Sequence, residues 1–183
     1  YMRKKNKRLH GRSLRRGFLV ANAGKEFEKQ FKESVPSEAY FLRLHDSAIG
    51  FNNNGKNGGF AVKSPYDCLL INIPQNKIFA LELKSTKEKS MSFENTIKSG
   101  KGNKVIKTHQ IKELRKAAAK GINAGFIMNF RASEKTYFLP IGSFDKVTNF
   151  QMGDKCSINE KEVAEEGILI PQRLKKVTYA YDL

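Results

Sequence analysis

Tryptophan is absent from this 183-residue chain, cysteine occurs only twice and histidine three times. The two cysteines, Cys68 and Cys156, form neither a metal-binding nor a redox spacing, and both fit a reducing compartment. Three histidines do not suggest a Cys/His or Ser/His/Asp arrangement, which disfavours covalent catalysis. No apolar run approaches the roughly 20 residues that span a bilayer, and the basic N-terminus lacks the apolar segment of a signal peptide. Acidic residues are scarce: 18 Asp and Glu stand against 34 Lys and Arg, a formal charge of +16. The first 25 residues contain no acid at all. Such a field draws polyanions, with nucleic acid the first candidate and an anionic membrane surface the second.

What is present is enough for one domain with a core: 39% hydrophobic residues, including 13 Phe. Residues 1–21 read as a disordered basic arm that carries Arg12, Arg15 and Arg16 toward phosphate, and residues 22–183 as a single domain.

The chain is organised around two strand-like runs, Cys68–Ile73 and Ile78–Lys84, joined by a turn at 74–77 (Pro-Gln-Asn-Lys). A turn centred between Gln75 and Asn76 puts Asp67 opposite Lys84, with Glu82 as the diagonal neighbour on the same face. Diagonal positions lie roughly 7–8 Å apart at Cα and closer at the side chains. Two carboxylates at that spacing suit one hard cation, with an ammonium beside it. Apolar neighbours on both faces make this a covered hairpin, where three charges are costly unless paired or metal-bound. A pattern of Asp, fifteen residues, then Glu-x-Lys also arises by chance in a chain with 28% charged residues, and a solvated strand end is the bland reading.

The flanking segments bear on that choice. Asn22 to Ser34 reads as a helix with an Asn22 N-cap and a Phe27/Phe31 stripe, stopped by Val35-Pro36. Glu28, beside Phe27, is the candidate third carboxylate. A short strand, Tyr40–Leu44, leads to a Gly- and Asn-rich projecting loop at about 50–62 bounded by Phe51 and Phe60. An aromatic such as Phe60 beside cations such as Lys63 can stack on or wedge between bases, or fold back into the core. After Lys84, the polar run with Lys87 and Lys89 suits a phosphate track, and Glu94–Lys98 reads as a helical turn. A second helix runs from His109 to Lys120 with Thr108 as N-cap and ends at Gly121, which places His109 and Gln110 in its first turn. Strands at Ala124–Phe130 and Thr136–Pro140 follow, then helices at Ser143–Phe150 and Asn159–Glu166, the latter ending at Gly167; the run Ile168–Ile170 and a basic tail with Arg173, Lys175 and Lys176 close the chain. The sum is an α/β fold, a mixed central sheet flanked by helices.

These residues carry a resemblance. Asp67, Glu82 and Lys84 resemble the core of the PD-(D/E)XK (restriction-endonuclease-like) nucleases. Gly24–Glu28, Tyr66-Asp67, Phe79–Lys84, Thr86–Ser90, His109-Gln110-Ile111, Gly125–Phe130, Tyr137–Leu139 and Ser157-Ile158 with Gly167 resemble, in order, the RecU family of Holliday junction resolvases of bacteria and their phages. The resemblance implies a homodimeric, Mg²⁺-dependent (Mn²⁺-tolerant) endonuclease that cuts four-way DNA junctions by symmetrical paired nicks in recombination and repair. It implies a cytoplasmic, nucleoid-associated protein working beside host recombination proteins. It assigns the metal to Asp67 and Glu82, with Gln110 completing the site through its side chain or a water, and transition-state stabilisation to Lys84. Glu28 joins the catalytic set, while Phe60, Lys63, Lys87, Lys89 and His109 contact DNA. Two departures stand out: Pro65 sits where the family often has a hydroxyl residue, and the segment around Ser99–Lys104 is long. The alternatives are another PD-(D/E)XK nuclease acting on duplex or flap DNA, and a non-catalytic basic DNA-binding module.

Overall fold

The computed structural model describes residues 23–46, 63–95, 103–149, 155–176 and 178–183. In chain order the elements are α1 (Ala23–Glu33), β1 (Ala39–Arg43), β2 (Cys68–Asn72), β3 (Lys77–Thr86), β4 (Ser90–Ser92), α2 (Thr108–Ala118), β5 (Asn123–Phe130), β6 (Lys135–Pro140), α3 (Ile141–Thr148), β7 (Ser157–Asn159), α4 (Glu160–Glu166), β8 (Ile168–Ile170), β9 (Gln172–Lys175) and β10 (Thr178–Tyr181). Six strands form one mixed sheet in the order β1-β2-β3-β5-β6-β8, and β3–β5, joined through α2, is its parallel pair. This is the helix-flanked mixed α/β sheet expected of the sequence.

Strand periodicity divides the core in two. Ala80, Ala124, Phe126 and Met128 pack with Ile111 and Leu114 of α2 and Phe144 of α3. Leu81, Leu83, Cys68, Leu70 and Ile127 turn the other way, against Phe27 and Phe31 of α1 and Tyr181 of β10. The centre of the sheet is therefore covered on both faces, which is why β5 is buried along nearly its whole length. Gly125 sits where β5 meets β6: an added Cβ would lie 2.4 Å from the Leu139 carbonyl oxygen and 2.8 Å from the Phe138 ring.

Several expected boundaries are corrected. The helix expected at Ser143–Phe150 is Ile141–Thr148, entered from Pro140 and ended by left-handed Asn149 (φ 44°). Asn159 is the N-cap of α4 rather than its first residue; its Oδ1 accepts from Glu162 N–H while the Glu162 carboxylate accepts from Asn159 N–H, each at 3.0 Å. Of the helical turn expected over Glu94–Lys98, Glu94 and Asn95 take part in no helix and residues 96–98 lie outside the described residues; just before them, Phe93 bridges Ile106 beside the β4–β7 pair. The basic tail is a hairpin, β9–β10, sewn to α1 by Tyr179 N–H donating to Gln30 Oε1 (3.3 Å) and Tyr181 N–H to Ser34 Oγ (3.0 Å).

Candidate active site

The β2–β3 hairpin turns one residue earlier than its composition suggests. Asn76 N–H donates to the Ile73 carbonyl at 3.1 Å, Asn72 Oδ1 accepts from Gln75 N–H at 3.0 Å, and Asn76 takes the left-handed conformation (φ 50°) that lets the chain return. The loop is thus Ile73–Asn76, closed by the Asn72–Lys77 pair, and the register runs to Cys68 opposite Leu81. Its next step sets Asp67 across from Glu82, not from Lys84. The shift is two residues in register, so every side chain keeps its face and the two carboxylates end directly opposed rather than diagonal.

Asp67 is fixed by its own backbone surroundings. Its Oδ2 accepts from Leu83 N–H at 2.8 Å, and its carbonyl accepts from Leu44 N–H at 2.9 Å. Glu82 is 2% exposed, and its Oε1 receives Lys84 Nζ at 2.9 Å together with the Gln110 side-chain amide. Burial pushes the Glu82 carboxyl up to about 7; Lys84 opposes that shift, and the neighbouring Asp67 carboxyl adds to it.

Helix α2 delivers Gln110 and His109. Its N-cap is Lys107 rather than Thr108, because a distant acid takes the helix end: Thr108 N–H donates to Glu94 Oε2 at 2.9 Å and Lys107 Nζ lies 3.0 Å from Glu94 Oε1. Those bonds hold the Glu94 carboxyl below the usual carboxylate range, the Thr108 N–H contributing most. Gln110 Oε1 accepts from Lys107 N–H at 2.8 Å, so the amide nitrogen is what faces Glu82. In this arrangement Gln110 braces the carboxylate and its oxygen is engaged in the helix cap.

Asp67, Glu82, Gln110, His109, Lys63 and Arg43 line one cavity of about 320 Å³. Burial, then the nearby Lys63 cation, pulls His109 below the usual imidazole range. A larger cavity of about 430 Å³ lies between the end of α1 and β9–β10, but every charged group lining it is exposed. Of the residues singled out from sequence, Lys84 joins this site through Glu82. Glu28 does not line the cavity: its Oε2 lies 2.5 Å from the Arg43 guanidinium, and Arg43 is what reaches the cavity wall. Lys87 and Lys89 are exposed beyond β3 and do not line it. Arg12, Arg15, Arg16 and Phe60, with the projecting loop, lie outside the described residues. Arg43 was missed; a lone cation closing an apolar strand, Tyr40-Phe-Leu-Arg43, is the signal that could have found it.

The family model for recombination protein U, RecU, matches residues 56–181, more than half of the chain. This chain belongs to the RecU family. The RecU-family chain is also 34% identical over 175 residues to an SPbeta prophage-derived uncharacterized protein, YotM, of Bacillus subtilis (strain 168), covering 88% of this chain and 83% of that protein. Among solved structures it is similar to Archaeoglobus fulgidus Hjc, a Holliday junction resolvase from an archaeal hyperthermophile, with a TM-score of 0.45 and 14% identity over 79% of this chain and 93% of that one.

Proposed function

We propose that this RecU-family protein is a divalent-metal-dependent endonuclease that resolves four-way DNA junctions by symmetrical paired nicks in recombination and repair. The observation that carries the reading is that Asp67 and Glu82 fall opposite each other one step beyond the Cys68–Leu81 pair, with Lys84 Nζ 2.9 Å from the buried Glu82.

The donor set fits a hard cation. Two adjacent carboxylates, one of them buried and held up to about 7, carry more negative potential than Lys84 offsets, and a divalent ion held by Asp67 and Glu82 would relieve it. Among the described residues no group of three or more His, Cys, Asp and Glu is placed to hold a metal. Asp67 and Glu82 would hold the ion, and an all-oxygen donor set of this kind suits Mg²⁺ and also Mn²⁺. When bound, such an ion supplies Lewis acidity to the scissile phosphate.

The chain's own groups do the rest. Water attacks phosphorus, one P–O ester bond breaks, and the leaving alkoxide is protonated. Lys84 sets an ammonium beside Glu82, where it offsets charge gathering on the phosphate oxygens and holds the attacking water. Gln110 keeps Glu82 in one orientation. His109 and the Lys63 cation, which line the cavity together, contact the DNA backbone there. Arg43, oriented by Glu28, receives a flanking phosphate oxygen. One such carboxylate pair per chain cuts one strand, so paired nicks on a two-fold junction call for a homodimer.

The test is cleavage of a labelled, immobile four-way junction beside matched duplex and flap DNA, with Mg²⁺, with Mn²⁺ and with chelator. Metal-dependent paired nicks on opposing strands of the junction alone are the expected result. Asp67→Asn, which keeps an acceptor for Leu83 N–H, is expected to bind the junction and leave it whole. Normal cutting by that variant overturns the site; cutting of duplex or flap without junction preference, or tight binding without cutting in either metal, overturns the assignment.

A further inference from the structure

Phe27 and Phe31 bury one side of α1, and the opposite side carries Lys25, Lys29 and Lys32, spaced by four and three residues and therefore on one helical face. These three lysines, Glu28 and Arg43 line a groove of about 380 Å³. Arg43 also lines the cavity that holds Asp67 and Glu82, so the groove and the candidate active site meet at its guanidinium. Three acids on α1 stand against Lys25, Lys29, Lys32 and Arg43, so a positive excess remains. Glu26 is exposed and accepts from Gln30 Nε2 at 3.0 Å rather than pairing with a lysine. Glu28 is taken up by Arg43 at 2.5 Å. Glu33 lies 3.9 Å from Lys29 with both side chains more than half exposed, a loose pair of the kind that contributes little. A row of cations is left on a concave surface that leads away from the carboxylate pair.

We propose that this groove is a second DNA-binding track, which takes the backbone of the strand continuing past the cleavage position. The proposal rests on the nuclease reading for its direction but not for its binding chemistry. Seven residues of helix extend about 10 Å. Phosphates of one DNA strand recur about every 3.4 Å along the duplex axis, so the three lysines face about three of them. Lysine suits the task, being a compact point charge on a flexible stem that follows a backbone without reading bases.

The experiment measures binding of a fluorescent four-way junction in chelator, where no cleavage intrudes, by anisotropy across about 50–300 mM salt. The Lys25→Gln/Lys29→Gln/Lys32→Gln protein is compared with wild type and with a charge-matched control, Lys116→Gln/Lys120→Gln/Lys161→Gln. All six lysines are exposed, so the fold is retained. Each lost phosphate contact flattens the slope of log K against log salt by about 0.9, so the α1 variant is expected to lose up to about 2.7 from that slope. Its binding near 0.1 M salt is expected to weaken on the order of 10²-fold. An unchanged slope, or an equal change in the control, overturns the track. If the wild-type protein cuts nothing with metal while the α1 variant alone loses slope, the nuclease reading fails and the track stands; the converse pair of results sinks only the track.

Discussion

Replacing Glu82 by Gln should make the metal-free protein more stable, not less. The folded protein holds the Glu82 carboxyl up to about 7, against an ordinary value of 4.5, chiefly because the group is buried. Between those values the folded chain keeps a proton that the unfolded chain releases. The stability this gives is fully present below pH 4.5 and is lost as pH rises through 7. At about 1.4 kcal/mol per unit, the loss by pH 8 is about 3 kcal/mol. Glutamine keeps the shape, still offers an oxygen to Lys84 and cannot ionise. In chelator at pH 8, Glu82→Gln is therefore expected to exceed wild type by about 3 kcal/mol, roughly 6–12 °C in Tm for a domain of this size. Below pH 4.5 the two should coincide. Urea unfolding from pH 4 to 8 reads the difference, in which every carboxylate not coupled to Glu82 cancels and only Asp67 beside it does not. Divalent metal should then raise the stability of wild type and leave the variant where it was. A variant equal to or weaker than wild type at pH 8 refutes the reasoning, because it would mean Lys84 fully offsets the burial of Glu82.

Other outcomes follow from single contacts. Gln110→Ala strips one donor from Glu82 and leaves Lys107 N–H without its acceptor; a 10–100-fold loss in cleavage rate or metal affinity is expected of such a supporting partner, on the order found at metal sites, and an unchanged Mg²⁺ titration would contradict it. Gly125→Ala drives a Cβ to 2.4 Å from a backbone oxygen of the adjacent strand, so a loss of about 3 kcal/mol or more is expected in urea unfolding; a cost under about 1 kcal/mol would mean that β5 and β6 can part easily. Phe60→Ala should impair junction cutting more than duplex binding, and equal effects on both would return that ring to the core.

Much of the architecture was legible because its signals are local. The Phe27/Phe31 stripe, the apolar runs around Leu70 and Leu81 and the apolar face of α2 each declare their period within a dozen residues. Register was not, since it depends on a single left-handed residue, Asn76, that brings the same four-residue turn one position earlier in the chain. The Glu94 cap was invisible for another reason: a carboxylate fourteen residues upstream outcompetes the local Thr108 hydroxyl for the end of α2. Arg173, Lys175 and Lys176 read as a tail because charge dominates their neighbourhood, while the bonds that dock the hairpin come from Gln30 and Ser34, nearly 150 residues away. At the candidate site, spacing put Asp67, Glu82 and Lys84 on one face of the hairpin but with Asp67 opposite the wrong partner, Lys84 instead of Glu82. The Glu28–Arg43 pairing could not be read, because it joins a helix to a strand that nothing in the local pattern connects.

Leu44 N–H is tied to the Asp67 carbonyl at 2.9 Å and Ser64 N–H to Asp46 Oδ1 at 2.7 Å. The connection between β1 and β2 is thus pinned at both feet beside the cavity, whatever lies between them. With the ends already held together, doubling the length of the intervening stretch costs only about 0.6 kcal/mol in closure entropy. The Asp67 backbone is held by the Leu44 bond on one side and by the pairing of β2 with β3 on the other. The geometry of the cavity mouth is thus set by two hydrogen bonds at the feet of the connection and is decoupled from its length.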